Sequence, residues 1–444
     1  MQVDADLEMD MMTGKPIQNG EQQIHMQFDE NFNRLVFWAV RGKEFLCVER
    51  YLIMAKCFYN ATLVLADRLL PNGWLLVEDG KIKRYGDGEA VTAEEMINCK
   101  GEYLSPGFID VHCHGGGGGS FASLSFEEHE KALKMHLQHG LTAITPTPGT
   151  LDVKELKKLR EIKEEVDKRA DLPHHLGYFM EGPMTLCQPH PDMKMGEAVV
   201  PVITPEVYVE GLKEGKDIIN RLMAAPELEG GMELGRALVE AGITACMGHS
   251  NATFAEVEEA MKNGYSTVTH LYSVMSTVTR DMGFRRGGLV EAGLLLDDLD
   301  VEIICDGCHL PPELIKLAVK CKGYDKLMLV SDCGPMGGAA EGEYEVDFGP
   351  IKMTVIVEDG VCKPPARNCF LGSIATSDRL VRTVYKQAGV PLWGAVRMIT
   401  KTPARHCGYA GVKGEIAIGL DADLVTFDDD INVSSVWLMG EKVV

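Results

Sequence analysis

The sequence predicts an α/β fold: a (β/α)8 TIM-type barrel with a small β-sandwich domain formed by both chain ends. Two patterns carry this expectation. Through the middle of the chain, short strand-like runs alternate with amphipathic helical stretches, which is how parallel βα units read. On either side of that region, residues 54–104 and 407–444 read as strands and turns. A barrel of this kind takes ~250 residues, and residues 105–406 leave room for one.

The first thirty residues are polar and Met-rich with no clear period, a composition that predicts little or no order. Residues 34–53 (RLVFWAVRGKEFLCVERYLI) are more apolar and are a candidate helix. The pattern becomes coherent at Ala55, so Met54 is a candidate start of the recognisable architecture, and residues 1–53 read as a partly disordered extension. Residues 54–104 then supply the first part of the small β domain. KCFYNATLVL and WLLVEDGKIKRYG are its strand-like runs, with a turn at Asp79-Gly80. The second part, residues 407–444, contains GEIAIGLDADLVTFDDDINVSSVWLMGEKVV, with turns at Gly419, Asp421 and Gly440.

Seven runs in the barrel region read as strands: GFIDVHC (107–113), AITPT (143–147), HHLGYFM (174–180), TACMG (244–248), TVTHL (267–271), VEIIC (301–305) and LMLVS (327–331). NCFLGS (368–373) is the candidate eighth. Among the intervening helices, residues 151–170 place Leu156, Leu159, Ile162 and Val166 on one face.

Bulk composition excludes several functions. A net charge of −22 argues against nucleic-acid binding, which needs a basic footprint to displace counterions. It leaves room for a small anionic ligand, since a few arginines can hold one phosphate. No run of 18 or more apolar residues offers a membrane span. Asp4, Asp6, Glu8, Asp10, Glu21, Asp29 and Glu30, against Lys15 alone, give the first thirty residues the wrong charge for a signal or transit peptide. Thirteen cysteines without framework spacing fit a reducing compartment, so a cytoplasmic location is expected.

The chemistry-bearing residues recur at one kind of place. His112 and His114 are two apart on a strand, so they share a face, and they precede the run Gly115 to Gly119. Glu181, His249, His270, His309 and Asp332 each fall at or just after the end of a predicted strand. Singly each is unremarkable; jointly they mark the C-terminal face of the barrel, where active sites in this fold are built. Glu181, His249 and His270 supply two imidazoles and a carboxylate, a set suited to zinc with a position left for water. His112, His114 and Asp332 either complete a second site or position the nucleophile. A bound metal lowers the pKa of water from ~15.7 to ~7, and Asp332 is the natural base and later acid for its proton. Cys305 and Cys308 form a CxxC without a second pair. The glycine run lacks the Lys-Ser/Thr of a phosphate loop, and its expected role is to bring backbone close to the site.

Taken in order, PGFIDVHCHG, EGP, GHSNAT, THLYSVM, DGCHLPP, LVSDC and FLGS make residues 56–444 similar to the N-acetylglucosamine-6-phosphate deacetylases, a branch of the amidohydrolases. The resemblance implies a divalent metal, zinc first with iron or manganese as alternatives, one or two per chain. It implies metal ligation by Glu181, His249, His270, His112 and His114, and catalysis by Asp332. His309, Ser273, Leu371 and Arg285 fall on substrate positions, the last in FRRGGLV with Arg280 and Arg286 as substitutes. The implied partners are an amino-sugar phosphate substrate and a second copy in a homodimer. The implied reaction is deacetylation of N-acetylglucosamine 6-phosphate. Three departures touch recognition: Ser273-Val274 replaces the usual Asn-Ala, the loop after EGP reads MTLCQPHPDMKMGEA, and Ser331-Asp332-Cys333 stands for Thr-Asp-Ala. They keep a second activity in view, hydrolysis of another N-acyl amino sugar or of a cyclic amide.

Overall fold

The computed structural model describes residues 55–182, 203–347 and 352–444, with the backbone of short strands within the first 51 residues. Eight parallel strand positions organise it. They are β1 (Phe108–Cys113), β2 (Leu141–Pro146), β3 (His174–His175, then Tyr178–Glu181), β4 (Ile219–Ala224), β5 (Thr244–Met247), β6 (Tyr265–Val268), β7 (Asp300–Ile304) and β8 (Leu327–Val330). β1, β2 and the first part of β3 form one sheet; the second part of β3 continues through β4, β5, β6, β7 and β8 in another. The switch falls at Gly177, whose φ of +102° is closed to most side chains.

A helix follows each strand: α1 (Phe126–Leu137), α2 (Val153–Asp167), α3 (Pro205–Gly215), α4 (Gly231–Ala241), α5 (Phe254–Lys262), α6 (Leu289–Leu295), α7 (Pro312–Lys322) and α8 (Ser377–Arg382). α2 is the helix read from the sequence. Asp152 caps it by accepting from the N–H groups of Lys154 and Glu155, and the four expected apolar residues are buried. Thr253 and Glu256 form a capping box that starts α5 directly after the GHSNAT segment. No helix among the described residues is long and apolar enough to cross a membrane.

Two expectations about strands are corrected. The eighth strand is Leu327–Val330, and residues 368–373 form no strand. The strand missed by sequence is β4, INRLMA, because Asn220 and Arg221 interrupt its apolar run. The candidate helix in residues 34–53 is instead two antiparallel strands, Arg34–Arg41 and Glu44–Tyr51. Val36, Phe37, Trp38 and Val40, β-branched and aromatic, favour extended backbone. The expected lack of order in the first thirty residues falls largely outside the described residues.

Both chain ends contribute to one sheet of eight strands. Lys56–Val64 lies at its centre between Leu69–Glu78 and Tyr103–Pro106, and the latter pairs with Leu424–Phe427. Its core includes Phe58, Leu63, Leu75, Leu104, Leu424 and Trp437, with the rings of Phe58 and Trp437 edge to face at 5.0 Å. Phe427 reaches the other way, 6.0 Å from Phe108 on β1, and fastens this sheet under the strands that carry the site. The strands of the N-terminal extension pair only with one another among the described residues. A chain beginning at Met54 is therefore expected to keep the Tm and turnover of the full chain. Insolubility or lost activity of that shortened chain would show that the extension is part of the working fold.

Candidate active site

Every candidate ligand sits at the C-terminal end of a strand, but the local backbone differs. His112 is the penultimate residue of β1, fully buried, and Glu181 is the last residue of β3. His249, His270 and Asp332 each lie two residues beyond their strands with φ of +44°, +31° and +47°. A non-glycine residue in that region costs of order 1–3 kcal/mol. Backbone bonds hold the turns: Asp332 N–H donates to His112 O at 2.9 Å, and Leu271 N–H to Glu302 O at 2.8 Å. The strain turns these side chains over the strand ends toward a common centre.

That centre is Glu181. Its Oε2 is 3.0 Å from His112 Nε2 and 2.7 Å from His114 Nε2; its Oε1 is 3.0 Å from His270 Nε2 and 3.4 Å from His249 Nε2. Asp332 Oδ1 closes the first cluster at 3.3 Å from His114 Nε2 and 3.5 Å from His112 Nε2. The two Nε2 atoms of His112 and His114 face each other at 3.3 Å. Imidazole nitrogens converging on carboxylate oxygens form the donor set of a cation. His112, His114, Glu181 and Asp332 make one such set; Glu181, His249 and His270 make another. The residues fit one or two divalent ions, with Glu181 common to both sets.

The electrostatics agree. Burial would raise the Asp332 carboxyl, but His112 and His114 outweigh it and hold the pKa down at about 2. Glu181 is held well below the usual carboxylate range in the same way, burial being overcome chiefly by His112. Burial pushes His249 down to about 4. The carboxylates are thus ionised and His249 neutral, the states in which each can donate an electron pair.

A cleft of about 710 Å³ opens over this centre, within the ~300–1,000 Å³ range of small-molecule sites. Ser273, His309 and Leu371 line it, and so do Tyr272, Phe370 and Pro335, which sequence reasoning did not single out. His309 Nδ1 is 2.7 Å from Asp306 Oδ2, and its ring meets that of Phe370 at 5.0 Å. Arg285 is not in the cleft wall. It lies on an exposed hairpin, Thr279–Asp281 with Phe284–Arg286, that follows Val274 of the cleft. The loop after EGP lies outside the described residues. The glycine run forms a tight hairpin packed on α1: a Cβ at Gly119 would sit 2.2 Å from Glu128 O. Cys305 is buried, and Cys308 lies instead against the backbone of Asp359.

Known proteins resemble this chain in sequence and fold. The model of the amidohydrolase family matches residues 103–443. The N-acetylglucosamine-6-phosphate deacetylase of Bos taurus is 30% identical over 403 residues, 85% of this chain and 94% of that one. The N-acetylgalactosamine-6-phosphate deacetylase of Shewanella sp. (strain ANA-3) is 31% identical over 346 residues, 76% of this chain and 82% of that one. The crystal structure of N-acetylglucosamine-6-phosphate deacetylase from Pasteurella multocida superposes with a TM-score of 0.78 at 29% identity, covering 87% of this chain and 99% of that one. A mutant of the Mycobacterium smegmatis enzyme in complex with N-acetyl-D-glucosamine-6-phosphate gives 0.76 at 27%, covering 88% and 99%. This chain belongs to the amidohydrolase family, in its N-acetylglucosamine-6-phosphate deacetylase branch, and is a hydrolase of C–N bonds.

Proposed function

We propose that this chain hydrolyses the N-acetyl group of N-acetylglucosamine 6-phosphate, yielding glucosamine 6-phosphate and acetate. The observation that carries the reading is the sharing of Glu181 between two imidazole clusters with ionised Asp332 alongside. Glu181, His249 and His270, with His112 and His114, would hold a divalent ion there, which would supply an acidified water and polarise the amide carbonyl. Asp332 takes the proton from the water as its oxygen bonds to the carbonyl carbon, then returns it to the nitrogen as the C–N bond breaks. His309, Ser273 and Leu371 hold the sugar in the cleft.

Zinc, with iron or manganese as alternatives, a homodimer and a cytoplasmic location complete this reading. They rest on the family resemblance and, for location, on thirteen cysteines without framework spacing. The same reading includes closure of the eight strands into a (β/α)8 barrel over residues 105–406, with residues 54–104 and 407–444 as the small domain. The parallel bridge between Cys113 and Cys333 supports closure, as does the 2.8 Å bond from His114 N–H to Cys333 O.

A second reading is a different N-acyl amino sugar, such as N-acetylgalactosamine 6-phosphate, or a cyclic amide. The 31% identity to a deacetylase of N-acetylgalactosamine 6-phosphate favours the sugar over the cyclic amide, and Ser273-Val274, which departs from the family pattern, lies in the cleft wall. kcat/KM on the two sugar phosphates and on their unphosphorylated counterparts separates the readings. Arg285 is proposed to hold the phosphate. A charge-assisted contact contributes roughly 1.5–3 kcal/mol, so Arg285→Ala is expected to lower kcat/KM about 10- to 150-fold on a phosphorylated sugar. The unphosphorylated sugar should be nearly unaffected. Equal losses on both, or a wild-type preference for the unphosphorylated sugar, would move the assignment to another amide.

A further inference from the structure

We propose that Glu302, anchored by Arg221, is a positioning residue that fixes the His112 ring so that its Nε2 faces the site as an electron-pair donor. The three residues stand on β7, β4 and β1, and all are fully buried. Arg221 crosses the interior: Nη1 donates to Val111 O at 3.0 Å, Nη2 donates to Glu302 Oε1, and the guanidinium lies 4.4 Å from the Phe179 ring. Glu302 Oε2 is 3.1 Å from His112 Nδ1 and accepts from the His270 backbone N–H at 3.3 Å. The Phe179 ring meets that of His112 edge to face at 4.8 Å and fixes its plane.

The division of the carboxylate is the telling feature. A pair that only fills a core is free to meet its arginine with both oxygens. Here one oxygen faces Arg221, while the other is spent on the His112 ring and on the main chain of His270, one group from each donor set. An ionised acceptor at Nδ1 keeps the proton there. It leaves the Nε2 lone pair directed toward Glu181 and His114 and makes it a stronger donor.

The inference rests on His112 being a metal ligand, and the test separates the two. Metal-stripped full-length chain is titrated with Co2+ and followed by visible absorption, with His112→Ala as the reference for loss of that ligand. Glu302→Gln is expected to weaken Co2+ binding about 10- to 100-fold and to reproduce the His112→Ala spectrum. Arg221→Met/Glu302→Leu removes both buried charges together and is expected to restore Tm without restoring affinity, which a merely structural pair would not do. Wild-type affinity and spectrum in that double variant overturn the proposal alone. A wild type that takes up no Co2+ overturns the metal reading and the proposal with it. The wild-type chain gives a reading that needs no variant to fold. In zinc-loaded protein with 15N-labelled imidazoles, His112 should carry a slowly exchanging proton on Nδ1. A His112 protonated on Nε2, or exchanging freely, overturns the assignment.

Discussion

Asp332→Asn is expected to lower kcat by about 100- to 10,000-fold, the usual worth of general acid–base catalysis, with metal content and Tm close to wild type. The amide copies the carboxylate in shape but cannot take a proton from water. Asparagine also tolerates the +47° φ at this position, so the turn after β8 should persist. The wild-type carboxylate, held at about 2 beside His112 and His114, is ionised throughout the neutral range and ready to accept. Steady-state turnover alongside elemental analysis decides the matter. Activity within a few-fold of wild type would remove Asp332 from the proton's route.

Glu181→Ala should have the broadest consequence, because both donor sets use that carboxylate. His249→Ala or His270→Ala removes a donor from one set; Glu181→Ala removes one from each. The loss of metal affinity should exceed the ~10- to 100-fold typical of outer-shell changes, and turnover should fall to background. The parallel strands that carry the site are held by their own backbone ladder and apolar core, so the fold is expected to survive, as circular dichroism would show. Full metal content in Glu181→Ala would refute the ligand assignment.

The candidate ligands were legible in the sequence because each lies at the end of an apolar run that reads as a strand without help from its neighbours. For the same reason, missing β4 shifted the numbering of later strands and moved none of their residues. What stayed hidden was the interior enclosed by the parallel strands. Asn220 and Arg221 broke up a strand, and Glu302 passed as one polar residue within VEIIC, although Arg221 and Glu302 are fully buried against the site. Composition marks such residues as exposed; only the partner three strands away reveals otherwise. The left-handed turns at His249, His270 and Asp332 had no glycine to announce them, since Asp and His enter that region more readily than most residues. Arg285 followed a motif onto a hairpin whose strands, three residues each, are too short to show a period.

Pairing of Tyr103–Pro106 with Leu424–Phe427 sets a timetable for the nascent chain. Roughly three hundred residues separate the two strands, about 15–60 s of synthesis at ~5–20 residues per second. Throughout that interval Tyr103–Pro106 presents an open edge, the kind of surface on which chains pair wrongly with one another. A chain cut short between Asp332 and Leu424 carries every proposed metal ligand and keeps that flank unpaired, so it is both close to a complete site and prone to stick to its own kind.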